Sequence, residues 1–247
     1  LGSIAALALA GCGVATPRAA TSDVVGAVTF VDGERLTYEL VDVQGDPLGS
    51  GVLTVRLEDT RFVLEQRYES ALVSDAEPST DHVTVAVDTR TLRPFGGLRE
   101  VVRVRNDGTK QYEVTEWTYD VDGDVTGLVY SSTVDGDSDD GELELRENHY
   151  DNESSLWLWR TLAFSDEFEA TYISVNPMDG KQQTVKVQTP STETIEVPAG
   201  TFEVWRLIVR NGRSLRSAWI NVEAPHEVVQ WDNGDVIFRL TRREVLD

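Results

Sequence analysis

The sequence predicts a mainly β, antiparallel protein with one buried helix. Three observations carry this. Apolar residues recur at every second position, turn dipeptides separate these runs, and one apolar segment breaks the alternation. Of the 247 residues, 40% are hydrophobic and 26% charged, which is a globular composition.

The alternation is explicit. Leu53, Val55 and Leu57 alternate with Thr54, Arg56 and Glu58. Phe62, Leu64 and Tyr68 alternate with Arg61, Glu65 and Arg67, and Val83, Val85 and Val87 with Thr84 and Asp88. Period two turns one face of each strand to the core and the other to water, and half-exposed strands suit an antiparallel sheet. Asn211-Gly212, between Phe202–Arg210 and Arg213–Asn221, predicts a type I′ hairpin. Asn106-Asp107-Gly108, Asp122-Gly123-Asp124, Asp179-Gly180 and Asp232-Asn233-Gly234 read as turns, and Asp135–Gly141 as a longer acidic one. About twelve strands result, at the spacing of a sandwich or barrel.

The exception is Leu156–Phe164. Asp151–Ser155 supplies capping residues and acids before it, and Leu156, Trp159 and Ala163 fall on one helical face. A helix over 153–163 follows, apolar nearly all round and therefore buried against the sheet. No linker rich in Pro, Gly or Ser divides the rest, so 24–247 reads as one domain. The alternative is two β lobes meeting near Gly141.

Asp and Glu number 43 against 22 Lys and Arg, a formal charge of −21. Phosphate backbones are held by clustered Lys and Arg, so nucleic acid is not an expected partner. The charge also argues against electrostatic docking on anionic lipid.

The N-terminus carries an address. Ile4–Ala10 is a short apolar run followed by Leu9-Ala10-Gly11-Cys12, which resembles the lipobox of bacterial lipoproteins at every position. The resemblance implies cleavage before Cys12 and acylation of that residue, with 1–11 a signal-peptide remnant and 12–23 a lipidated, flexible tether. The apolar run is too short to span a bilayer. Cys12 is the only cysteine, so no intrachain disulfide is expected. Several acyl chains, at roughly 0.8 kcal/mol per buried CH2, would anchor the protein to an extracytoplasmic membrane face.

Residues 142–246 resemble the C-terminal half of an uncharacterised bacterial envelope family akin to the LolA-like lipoprotein carriers. The resemblance rests on Asp151 with Leu156-Trp157-Leu158-Trp159-Arg160 and on Val197-Pro198-Ala199-Gly200-Thr201-Phe202. Ala218-Trp219-Ile220 and Val236–Leu240 follow, and Asp88 with Leu92-Arg93-Pro94 adds to it in the first half. It implies a single, strongly curved antiparallel sheet, an unclosed LolA-like β-barrel wrapped around one central helix, whose concave side shelters apolar matter.

Several constellations bear on function. Leu156, Trp157, Trp159, Leu162 and Phe164 either line an apolar ligand pocket or simply fill the barrel. Glu142, Glu144 and Glu147 are similar to the E-x-D-x-x-E motif of a β-sandwich glycoside hydrolase family, with Glu144 replacing the Asp. The favoured reading is an exposed strand face with Leu143 and Leu145 inward, and the hydrolase pair is a remote alternative. Asp135, Asp137 and Asp139 resemble the start of a calcium loop, but Asp140 and Arg146 stand where Gly and Glu are needed. His82, His149 and His226 lack metal-ligand spacing. Arg206, Arg210, Arg213 and Arg216 around the Asn211-Gly212 turn either pair with acids across strands or form an anion site.

The expectation is a monomeric, non-catalytic lipoprotein that binds a lipid or acyl chain, without cofactor or metal. The alternatives are a structural or protein-interaction lipoprotein with a filled barrel, and a glycoside hydrolase using Glu142 and Glu147.

Overall fold

A computed structural model describes residues 22–70, 77–105, 107–122 and 125–246. The signal remnant, Cys12, most of the tether and the turn residues Asn106, Gly123 and Asp124 lie outside the described residues. Where tether and domain meet, the Ser22 N–H donates to Thr171 O (2.8 Å) and the Asp23 carboxylate accepts from the Tyr150 hydroxyl (2.5 Å).

The first half is a meander in which each strand pairs antiparallel with the next. Its strands are β1 (Glu34–Val41), β2 (Pro47–Glu58), β3 (Arg61–Ser70), β4 (Ser79–Asp88), β5 (Pro94–Val104), β6 (Lys110–Asp122), β7 (Val125–Val134) and β8 (Asp137–Glu144). The second half contains β9 (His149–Asp151), β10 (Phe168–Asn176), β11 (Lys181–Thr189), β12 (Thr192–Val197), β13 (Gly200–Asn211), β14 (Ser214–Asn221), β15 (Val228–Asp232) and β16 (Ile237–Val245). Pairing of β1 with β16 joins the halves into one sheet with β8 at one edge and β9 at the other. It is large, curved and unclosed. Register shifts at Thr37/Tyr38, Leu40/Val41, Ala86/Val87 and Trp219/Ile220 provide the local bends a curved sheet needs.

Among the described residues, sixteen strands replace the twelve expected. One of the additional strands was hidden by its acids. Asp135 and Gly136 alone form the reversal, with φ of 50° and 97°, the two positive angles of a type I′ turn. Asp137–Glu144 then returns as β8, paired from Asp137↔Val134 to Glu144↔Gly127. The long acidic turn, and with it the calcium-loop resemblance, is corrected: Asp137 and Asp139 stand in an exposed strand. The Asn211-Gly212 reversal also differs from the expected type I′. Asn211 pairs with Ser214, so the loop residues are Gly212 and Arg213. Positive φ (56°) falls on Gly212 alone, the position that a type II′ turn reserves for glycine.

The sheet is mixed, not purely antiparallel, because β9 runs parallel to β10. Parallel neighbours need a crossover of a dozen or more residues, and residues 152–167, which contain the helix, are that crossover. The helix is shorter than expected. A 3-10 turn at Asn152–Ser154 leads into α1 (Ser155–Trp159), where 153–163 was predicted. Asp151 caps the start, its Oδ1 accepting from the Glu153 N–H at 2.7 Å. The end is set by tertiary competition. Arg160 and Thr161 make tightened bonds to Trp157 O and Leu158 O. Thr161 O accepts the Gly26 N–H, and Leu162 bridges to Val25. The extended N-terminal segment takes over the backbone groups that further helix would use.

Trp157, Leu158 and Trp159 are buried on the concave side among inward residues of both halves, including Leu36, Leu64, Val85, Val185 and Leu207. Close approach is built in at Gly97, where an added Cβ would strike the Trp117 indole and Thr84 O. Gly97→Ala is expected to lower stability by about 1–3 kcal/mol through overpacking, read as a reduced urea midpoint at unchanged m. No helix among the described residues is long and apolar enough to cross a membrane.

Candidate functional site

Between α1 and the concave face lies a cleft of about 250 Å³. Its apolar wall comes from Leu156 and Trp159 on α1, Tyr172 on β10, Val185 on β11, Val209 on β13 and Trp231 on β15. Trp159 and Trp231 are in ring contact at 4.7 Å. The Trp159 indole N–H donates to the Tyr172 hydroxyl (3.0 Å), fixing both side chains. Burial pushes the Tyr172 phenol up to about 12, so it is neutral. One polar wall holds Gln66, Tyr68 and Glu153. There the Tyr68 hydroxyl donates to Gln66 Oε1 (2.6 Å), and Gln66 Nε2 donates to Glu153 O. A second polar wall holds Asn211, Arg216 and Asn233.

Of the five aromatic and aliphatic residues nominated from sequence, Leu156 and Trp159 face the cleft. Trp157 is packed in the core, Leu162 is buried beside Val25, and Phe164 stacks on Trp205 at 5.9 Å. None of these three lines the cleft. Tyr68, Tyr172 and Trp231 escaped sequence reasoning as site residues, and Arg216 was singled out only as one of four arginines around the Asn211-Gly212 turn. Each sits in an ordinary strand, and only the register reveals which strands converge.

Behind the cleft lies a buried acid. Asp151 Oδ2 accepts from the Trp117 indole (2.8 Å) and the Tyr119 hydroxyl (2.9 Å). Burial, with Glu153 adding to it, raises its carboxyl to about 7. Glu153 is also raised by burial, opposed by the Arg99 guanidinium. Arg99 itself holds Asp81 bidentately at 2.9 and 2.6 Å.

The remaining candidates are dispersed. Glu142 and Glu144 stand exposed on edge strand β8, and Glu147 is exposed beyond its end. Glu142 lines no described cleft, so the retaining pair imagined for a hydrolase is not assembled there. His82 contacts Glu65 at 2.7 Å, while His149 and His226 bond the backbone carbonyls of Arg146 and Asn221. No group of three or more metal-ligating side chains occurs among the described residues. Arg206 lies over Trp219 on the outer face, at 5.8 Å from the ring centre.

The family described as "Protein of unknown function (DUF3108)" matches residues 35–239. The chain belongs to the DUF3108 family. The match takes in Arg93-Pro94 as well as the helix and the Val197–Phe202 reversal, beyond the half that carried the resemblance in sequence. Among solved structures, this DUF3108 chain is similar to a β-barrel-like protein of domain of unknown function DUF1849 from Brucella abortus. The two are 10% identical with a TM-score of 0.52, over 90% of this chain and 100% of that one. The likeness is one of fold. A Bacteroides fragilis protein thought to be exported, with a YmcC-like fold, matches at 10% identity and a TM-score of 0.28, over 90% of this chain and 100% of that one. No functionally curated protein matches the sequence.

Proposed function

We propose that this DUF3108 chain is a non-catalytic binding module of the cell envelope, held to a membrane through acylated Cys12, that receives a hydrophobic ligand in the cleft between α1 and the curved sheet. The observation that carries the reading is the Trp159–Tyr172–Trp231 wall, which presents aromatic faces to an unfilled concave space. Apolar lining with a few placed polar groups is the usual form of a small-molecule site. The polar groups around the cleft are phenols, amides, the Ser155 and Ser174 hydroxyls, the Glu153 carboxyl and one arginine, which orient a ligand.

The test is native mass spectrometry of the gently extracted chain, together with uptake of a fluorescent fatty acid. A co-purifying lipid and saturable uptake are expected. Leu156→Trp, which fills the cleft from a half-buried position, is expected to weaken uptake about tenfold. A chain carrying no lipid and taking up no fatty acid overturns the reading.

A second reading has its own support. Trp157 and Leu158 occupy much of the interior with almost no exposure, as a filled barrel serving envelope architecture or a protein partner would. Pull-down against envelope components, with the Leu156→Trp variant retaining the partner, distinguishes it.

A further inference from the structure

We infer that the cleft selects a single-chain amphiphile with an anionic oxygen head group, a carboxylate or a phosphate monoester, and that Arg216 receives that head. The inference rests on the binding reading above and specifies its ligand.

Four arginines surround the β13–β14 reversal, and the register sorts them. Arg206 pairs with Trp219 and Arg210 with Leu215, while Arg213 belongs to the loop. Arg216 is opposite Val209, and both line the cleft. Residues directly opposite in an antiparallel ladder share a face, so Arg216 alone of the four turns to the concave side. Among the described residues its guanidinium has no ion pair or hydrogen bond. In a chain of net charge −21, where carboxylates outnumber cations about two to one, this is an unusual place for an unneutralised guanidinium.

The carboxyl in the cleft, Glu153, belongs to the other polar wall and faces the Arg99 guanidinium at 4.0 Å, while the neighbours of Arg216 on its own wall are suited to an anion. Asn233 Oδ1 is committed to the backbone N–H groups of Asp235 (3.0 Å) and Val236 (2.9 Å), which leaves its amide nitrogen as the free donor. Asn211 adds a second side-chain amide on the same wall. Behind this donor set stands the apolar wall of Trp159, Val209 and Trp231. A planar guanidinium engages a carboxylate or phosphate through two parallel hydrogen bonds. The volume decides the other end of the ligand. At about 250 Å³ the cleft falls just below the usual range of roughly 300–1,000 Å³ for small-molecule sites. It suits one short chain and leaves no room for a diacyl lipid.

The general field of this protein repels anions, so a preference for an anion over an alcohol of equal length requires a local cation. The experiment titrates the full chain with decanoate, decyl phosphate and decan-1-ol, following tryptophan fluorescence at low salt. At least one of the two anions is expected to bind about tenfold or more tightly than the alcohol, and which one does so identifies the head group. Arg216→Gln is expected to erase that preference, bringing the favoured anion to within about twofold of decan-1-ol. Arg216 is an exposed strand residue, and an unchanged circular dichroism spectrum verifies the fold. If decan-1-ol binds the wild type as tightly as both anions, or if Arg216→Gln keeps the anion preference, the inference is overturned while the binding reading stands. If none of the three binds, the binding reading itself falls.

Discussion

Replacing Arg160 by alanine is expected to destabilise the protein by about 3–5 kcal/mol, the cost of removing one partner of a buried ion pair. The guanidinium is 1% exposed and grips Glu34, itself buried on β1, with Nη1–Oε1 at 2.5 Å and Nη2–Oε2 at 2.8 Å. The remaining donors are also in use. Nε donates to His226 O and Nη2 to Pro225 O, each at 3.1 Å, and the group lies over the Phe30 ring. One side chain therefore ties the crossover after α1 to the first strand and to the β14–β15 connection. Alanine would leave a carboxylate in the interior without its cation and the His226 carbonyl without its Arg160 donor, while Pro225 O keeps the Thr29 hydroxyl at 3.1 Å. Thermal unfolding is expected to show a fall in Tm on the order of 10 °C. The double variant Arg160→Met, Glu34→Leu removes both charges and is expected to recover much of the loss, because no buried charge is then left without its counter-ion. A single variant within 0.5 kcal/mol of wild type, which is roughly the range of an ordinary surface substitution, would show that this pair does not hold the crossover in place.

Arg160 also marks what was legible. The sequence places it at the end of an apolar helix and says nothing of Glu34, which is 126 positions away. Local pattern carried the fold well. The alternating triplets around Leu53, Phe62 and Val83 lie in β2, β3 and β4, and the Asp151 cap and the apolar helix are where the residues put them. What failed locally has identifiable causes. The acids of Asp135–Gly141 read as a turn, and the alternation of Leu143 and Leu145 with Glu142 and Glu144 marked a strand face only from Glu142 on, so the first five residues of β8 were missed. The parallel pairing of β9 and β10 was implicit in the helix itself, since a lone helix between two strands of one sheet is a crossover. The cleft was not legible. Tyr172, Trp231 and Arg216 become neighbours only through the register of strands far apart in sequence, and composition could not distinguish Arg216 from Arg206 or Arg210.

Asp151 supplies the second large effect, and its direction in pH is fixed by its environment. In the unfolded chain the carboxyl titrates near 3.8 and in the folded protein at about 7. Between those values the folded state holds a proton that the unfolded state has lost. The contribution to stability is therefore complete below about pH 4 and disappears as pH rises through 7, by an amount on the order of 2–4 kcal/mol. His149 acts in the opposite sense. Burial, with the Arg93 charge adding to it, lowers the imidazole from 6.5 to about 4. Its contribution is present above pH 6.5 and is lost as pH falls toward 4. The two slopes oppose each other across one window, so the wild-type profile conceals both. Asp151→Asn removes the first and keeps an oxygen acceptor for the Trp117 and Tyr119 donors. The difference in unfolding free energy, wild type minus variant, is expected to fall steadily from pH 4 to 7 and to be level above 7. Urea titrations at half-unit steps read this difference directly, and the carboxylates that do not interact with Asp151 cancel from it. Asp151→Ala goes further. It strands the Trp117 indole, the Tyr119 hydroxyl and the Glu153 N–H in the interior. A loss of about 3 kcal/mol or more is expected at every pH, since each stranded group costs roughly 1–3 kcal/mol. A pH-independent difference for Asp151→Asn would mean that the carboxyl ionises normally in the fold despite its burial.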